Sequence, residues 1–495
     1  METSMNRRNF LKAAVASGAV LVAGGALAGC SSDDSVAVAG ETLAGYAPVE
    51  FTDETDVLII GTGIAGLSAA MDPVEAGFKT TLVDKLAVFG GESFIACGVM
   101  NASCTVLHDA VGLGGNLEET WARFEPKYVD NPEVNDVAFK KAVFLAQTEW
   151  VNRVYQDYGA EFQPLEDYMN TGAPTFTMLP KHGIGDMTSV LTPLKNGLEA
   201  KGAQFKLNLC AKHFIIDPDG TVCGVRFTDV EKNRNVDIKA KKIIVATGGF
   251  SCNQEMVSMF IPSQQRLAPL TVNSMGEGHV MCQEIGGVWD HMDTIANTMS
   301  DLAQVTVWGY FGPNVQVTPQ GRRFINEDQS HDSPIACAEG EFGYWWTIFD
   351  NQLINGSQKW NVEMNMKNSA DRLVGPCDTI EDLAVAMDMS VENLVATFDR
   401  YNELVDAGED TDFKKKLFLQ KLEAPFYAMK HFPFRYKTHG GLKITTDSQL
   451  VDAKGDPIAN VYMCGSTTPD TGSDLAPNAG SGLVTGKAVV ASLQA

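Results

Sequence analysis

Asp56-Val57-Leu58-Ile59-Ile60 runs straight into Gly61-Thr62-Gly63-Ile64-Ala65-Gly66 and then into a helical pattern. No other stretch constrains the fold as much. An unbroken apolar run of this length suits a strand buried on both faces, the environment of a parallel sheet. The three glycines then have separate tasks. Gly61 permits the tight turn, Gly63 lets the backbone approach a pyrophosphate, and Gly66 lets the helix pack close to the strand, with the phosphates at the helix N-terminus. A lone G-x-G-x-x-G is a weak signal. Here a second strand, Lys79 to Val83, ends at Asp84, eighteen residues after Gly66, where a carboxylate can hold a ribose hydroxyl. The pattern implies a dinucleotide site. Pro73 falls inside the expected helix and removes an internal hydrogen bond, so a kink is expected there.

The chain has 495 residues, 44% of them hydrophobic, enough for a large core divided among about two or three domains. Its formal charge of -24 and the lack of any basic run disfavour a nucleic-acid partner, which needs a cationic face for the phosphate backbone. The ten cysteines include no C-x-x-C and no C-x-x-C-H. No zinc site, thioredoxin-like motif or c-type haem attachment is therefore supported; no metal is expected, and most of these thiols are expected to be buried.

Arg7-Arg8-Asn9-Phe10-Leu11-Lys12 precedes the uncharged run Ala13 to Gly29, the layout of a twin-arginine export signal over residues 1–29. The run is rich in Ala and Gly and too short to make a good membrane span. Leu27-Ala28-Gly29-Cys30 resembles a lipobox, which implies cleavage before Cys30 and a lipid on its sulfur. Residues 30–49 are then a small-residue tether. The expected location is the outer face of the cytoplasmic membrane or the periplasm. The twin-arginine route carries folded proteins, which suits a chain that loads a cofactor before export.

Beyond the first turn, Gly90-Gly91-Glu92-Ser93 and Cys97-Gly98-Val99-Met100-Asn101-Ala102 resemble the flavin-contacting segments of the fumarate reductase and flavocytochrome c family, G-G-N-S/T and S/A-G-G-M-N-A. Glu92 replaces the asparagine, and Cys97 a small residue. Ile243 to Phe250 is similar to the family's strand and A-T-G-G-F turn, and Gly276-Glu277-Gly278 to its G-D/E-G turn. The resemblance continues through Gly321 to Glu327, Phe349-Asp350, Tyr401-Asn402, Pro425 to Ala428 and Thr438 to Leu442. It covers nearly everything from about residue 50 to the end.

The resemblance implies an α/β fold in which a Rossmann-like FAD-binding domain is interrupted by an α+β capping domain. The FAD domain would comprise residues 50–292 and 439–495, with the cap at 293–438. Cofactor contacts would fall at Gly61, Gly63, Ile64, Ala65 and Gly66 in the first turn and at Asp84 and Lys85 after the second strand. They would continue at Gly91, Glu92, Ser93 and Gly98, at Ala246, Thr247 and Gly248, and at Gly441, Gly465, Ser481 and Leu483 near the C-terminus. Membrane-bound relatives in this family tether FAD through a histidine just before the G-G-N-like segment. Lys85 to Phe89 contains none, so FAD is expected to be held non-covalently. With no haem domain or S-G-A-T-like site for covalent FMN recognised in it, the chain is expected to have one redox centre. Its electrons are expected from a separate donor, such as a multihaem cytochrome or a quinol-linked protein.

Fumarate reductases of this family carry a proton-delivering cap arginine in the frame N-E-x-x-x-R-D. Asn326-Glu327-Asp328-Gln329-Ser330-His331-Asp332 keeps the frame and places His331 at the arginine. The relay glutamate and arginine fall at Val307 and Tyr310. One carboxylate-binding histidine becomes Lys437 and another falls near Thr298; the C-terminal arginine has Pro477 as its nearest counterpart. A carboxylate in a closed pocket without a guanidinium loses several kcal/mol to desolvation, so fumarate is not the expected substrate. His331, Tyr310 and Lys437 remain as the candidate catalytic set, suited to polarising a carbonyl conjugated to an alkene.

The leading expectation is an extracytoplasmic flavin-dependent reductase. It would transfer hydride from FAD N5 to an activated C=C bond of a small acceptor other than fumarate, with a cap residue as proton donor. The same chemistry run backward, as in ketosteroid dehydrogenases, is the second reading. The third is a substrate-binding lipoprotein with a non-catalytic flavin fold.

Overall fold

The computed structural model describes residues 37–38, 49–96, 98–130, 136–163, 177–182, 185–271, 273–294, 298–300, 312–356, 359–469 and 475–495. Cys30, the export signal and Tyr310 lie outside these residues. The first strand extends further back than the apolar run suggests, over Phe51–Ile60. Val57, Leu58 and Ile59 are completely buried. On one side this strand pairs in parallel with Thr80–Val83, and that with Gln204–Lys206. On the other it pairs in parallel with the long strand Arg234–Val245.

That long strand serves two neighbours. Its first half pairs antiparallel with Val222–Asp229, which continues to Leu209–Ile216. Its last residues, Ile243 to Val245, pair in parallel with Val461 to Met463 of the strand Pro457–Met463. Five parallel strands thus end side by side at their carboxyl edge, where ligands bind in open α/β sheets. Within the stretch expected to be a tether, Ala37–Val38 pairs in parallel with Ile215–Ile216 at the far edge of this sheet.

The helix Ile64–Glu75 follows the glycine turn and continues through Pro73. Leu67, Ala69, Ala70 and Met71 are fully buried between the sheet and the C-terminal helix Leu475–Gln494. Burying a side chain the size of Leu67 or Met71 contributes about 1.5–3 kcal/mol. Gly66 is required where the helix enters, because a Cβ there would lie 2.0 Å from the carbonyl oxygen of Gly61.

A second, four-stranded antiparallel sheet forms from residues between 314 and 431. Its order is Asn314–Val317, Trp345–Phe349, Phe426–His431 and Leu373–Cys377. Helices Ile380–Ala386 and Val391–Ala407 cover it, burying Leu383, Leu394, Phe398 and Tyr401. The chain returns to the first sheet through Pro433–Arg435 and Gly441–Leu442. Among the described residues no helix is long and apolar enough to cross a membrane.

Candidate active site

A cleft opens at the carboxyl edge of the parallel strands. Its floor is the glycine turn. Gly61 has φ +110°, and a Cβ there would lie 2.2 Å from the carbonyl oxygen of Ala246, so only glycine lets the two crossover turns touch. Gly63 caps the helix Ile64–Glu75 with no side-chain acceptor, and the first turn holds no acidic residue. The positive end of a 12-residue helix therefore meets the cleft at Gly63, Ile64 and Ala65. This suits a pyrophosphate.

Thr62 ties the cradle together. Its backbone N–H and its hydroxyl both donate to Asp84 Oδ2, at 2.9 and 2.6 Å, while Gly90 N–H donates to Thr62 at 3.1 Å. Asp84 Oδ1 accepts from Leu86 N–H at 3.0 Å. The carboxylate, expected to hold a ribose, thus also fixes the glycine turn. Each carboxylate oxygen accepts two bonds, so Oδ1 retains capacity for a ribose hydroxyl. Ser93 Oγ accepts from Ile64 N–H at 3.0 Å and brings the Gly90–Ser93 segment against the helix start.

Of the cofactor residues expected from sequence, Gly61, Gly63, Ile64, Ala65, Asp84 and Lys85 line the cleft, as do Gly91, Glu92, Ser93, Ala246, Thr247, Gly248 and Gly465. Five others stand behind the wall. Gly66 packs on Gly61, Gly98 faces Pro180, and Gly441 lies against Thr467 and Thr468. Ser481 Oγ accepts from Gly465 N–H at 2.8 Å, and Leu483 is fully buried in the core. These five support the lining instead of forming it. Cys210, Ser274, Tyr436, Ser466 and Asn478, which no sequence motif marks as cofactor residues, also line the cleft. Glu277 lines it too, and its G-E-G turn was the one available signal. The others sit on segments with no motif of their own.

Lys437 lines the cleft beside Tyr436, with its ammonium 5.3 Å from the tyrosine ring centroid. The neighbouring residues fix its backbone. Thr438 Oγ1 accepts from Phe250 N–H at 3.0 Å, and the buried Arg435 donates through Nε to Ser251 O at 2.5 Å and through Nη1 to Gln264 O at 3.0 Å. His331 belongs to the short 3₁₀ segment Glu327–Asp332, and its side chain lies outside the described residues. Tyr310 lies outside them altogether, so the candidate catalytic set is seen only at Lys437.

The start of the His331 segment is anchored by a buried ionic cluster. Arg323 bonds Glu327 twice, and its Nη2 also donates to Asp410 Oδ2 at 2.8 Å. Lys415 Nζ donates to Asn314 O at 2.5 Å and lies 3.8 Å from Glu327. Burial alone would lower the pKa of Arg323, but its bonds to Glu327 and Asp410 outweigh that and hold it above its ordinary value. Burial lowers that of Lys415. Among the described residues no group of His, Cys, Asp and Glu is arranged to hold a metal ion.

Comparison with known proteins matches this geometry. The sequence profile of the family described as FAD binding domain matches residues 56–124 and 170–483. A urocanate reductase of Eggerthella lenta is 26% identical over 439 residues, spanning 85% of this chain and 70% of the relative. A fumarate reductase (cytochrome) of Shewanella frigidimarina is 28% identical over 430 residues, spanning 84% and 72%. The open conformation of a flavocytochrome c3 fumarate reductase superposes with a TM-score of 0.72 at 25% identity, covering 89% of this chain and 79% of that one.

Proposed function

The chain belongs to the FAD binding domain family of flavoproteins, and on that premise we propose that it reduces an activated C=C bond in a small organic acceptor other than fumarate. It is an FAD-dependent oxidoreductase of the class acting on CH–CH and C=C groups. One observation carries the finer reading. The cleft that fits a dinucleotide continues to Tyr436 and Lys437, where the chain returns from the second sheet to the first.

The residues present suit FAD. The helix start at Gly63 would take the pyrophosphate, Asp84 Oδ1 a ribose hydroxyl, and the Ala246–Gly248 turn would border the cofactor. Bound FAD supplies a hydride acceptor and donor. The chain's own residues do the rest. Lys437 presents a cation to a carbonyl or to a single carboxylate, and such a contact draws electron density from the conjugated alkene. His331 supplies the proton to the adjacent carbon, at the position that resembles the family's cap arginine. Two carboxylates of one substrate are not both matched, because His331 and Pro477 stand at arginine positions.

The urocanate and fumarate reductases among the relatives support reduction as the direction, and the cytochrome-linked relative supports a separate haem-protein donor. The lack of histidine between Lys85 and Phe89 supports non-covalent FAD. Export and a lipid on Cys30 belong to the same reading, and Cys30→Ala should release the protein from membranes. The deciding experiment is a screen of the dye-reduced enzyme against enoates, cinnamate-like acids, unsaturated ketosteroids and fumarate. Turnover of a monocarboxylic or carbonyl-activated alkene with little turnover of fumarate is expected. Brisk fumarate reduction would overturn the substrate reading, and no acceptor at all on a loaded enzyme would favour a binding protein.

A further inference from the structure

Two segments more than 180 residues apart in sequence are bonded to each other at the cleft. Lys85 Nζ donates to the Asn273 carbonyl at 2.6 Å and also pairs with the Glu277 carboxylate. Next to this pair, Ser274 Oγ donates to Glu92 Oε1 at 2.6 Å. All five residues line the cleft. Glu92 lies in the same short turn as Ser93, which bonds the start of the helix that would meet the pyrophosphate. The bonds therefore join the phosphate side of the cleft to the loop that precedes the helix Glu277–Glu284.

We propose that Ser274 and Glu92, with the Lys85–Glu277 pair beside them, form a clasp that retains the dinucleotide. The inference rests on the FAD reading above and adds to it how a chain without covalent attachment keeps its cofactor. A carboxylate beside a phosphate cradle would by itself repel the ligand. Bonded to Ser274, it does different work: it accepts a charge-assisted bond from the other wall, stronger than the bond an asparagine would accept there. Cofactor leaving the cleft must wait for that bond to open, so its strength is expressed in the release rate. Ser274 acts through Glu92 and is a positioning residue for the cofactor.

The test measures FAD release from the loaded enzyme, followed by flavin fluorescence after dilution into a flavin-binding trap. Ser274→Ala and Glu92→Ala should each speed release about tenfold, as expected for a lost hydrogen bond to a charged group. The double variant should be no faster than the faster single variant, and Ser274→Thr, which keeps the hydroxyl, should release at close to the wild-type rate. Unchanged release, or single effects that multiply in the double variant, would overturn the clasp. Multiplying effects would mean that each residue contacts the cofactor independently. If Glu92→Ala fails to load, Ser274→Ala and Ser274→Thr still decide through the hydroxyl. A folded wild-type protein that neither carries nor takes up FAD would overturn the flavoenzyme reading instead.

Discussion

Arg323 and Glu327 meet through two parallel hydrogen bonds, Nε to Oε1 at 3.0 Å and Nη2 to Oε2 at 2.7 Å, with side chains 5% and 0% exposed. Asp410 joins the same guanidinium, and the Tyr401 and Phe413 rings lie 5.1 and 4.8 Å from it. Removing one partner of such a buried pair leaves an uncompensated charge. Glu327→Ala should therefore cost about 3–5 kcal/mol of stability. Urea denaturation followed by circular dichroism measures this, and an unchanged midpoint would show that water screens the cluster.

The same cluster holds the start of the segment that carries His331. An arginine donor has no ionisation limb in the working range, whereas a histidine near pKa 6.5 has one. Turnover of the true substrate should fall as pH rises through roughly 6 to 8, and His331→Ala should lose about 10²-fold in rate. Reduction of the bound flavin by dithionite should survive the change. An alanine variant with full turnover and the same pH profile would move the donor role to Lys437 or Tyr310.

The cofactor should leave with denaturation. Acid precipitation of the yellow protein should put the flavin in the supernatant, because Lys85 to Phe89 offers no histidine for attachment. Colour that stays in the pellet would establish a covalent link at another residue.

Stability should decline in mild acid. His279 is fully buried, its ring edge-on to Phe250 at 5.5 Å between centroids. Burial pushes its pKa down to about 4, more than a contact with the Gly440 backbone restores. The unfolded chain binds a proton near pH 6.5 that the folded chain refuses until about pH 4. The stabilisation is fully present above pH 6.5 and is lost as pH falls through that window, at up to about 1.4 kcal/mol per pH unit. His279→Asn should flatten the unfolding free energy across the window. An equally steep variant would assign the acid sensitivity to other groups, among them His431, which burial pushes down to about 3.

Much of the cradle could be read from the residues in order. A buried strand, a glycine turn and a helix are local, and their signals lie within eleven residues, Asp56 to Gly66. The strand at Arg234–Val245 and its A-T-G-G turn are local in the same way. The family resemblance also placed Gly98, Gly441 and Leu483 with the cofactor, because a motif records that a residue is needed and not whether it lines the wall or packs behind it. Asp84 shows the same ambiguity, since its carboxylate both faces the cleft and secures Thr62.

What only the tertiary structure decided are the pairings between distant segments. Arg323 reaches Asp410 across 87 residues, Lys85 reaches Asn273 across 188, and Ser274 reaches Glu92 across 182. No periodicity or turn chemistry encodes such a contact. It exists because hydrophobic burial draws the loops around each sheet together, and a polar side chain stranded between them must then find a partner. The sequence by itself determined that a dinucleotide fold would form, because backbone sterics and strand burial act over a few residues. Which side chains close over the cleft was left to the packing of segments that meet only in the folded chain.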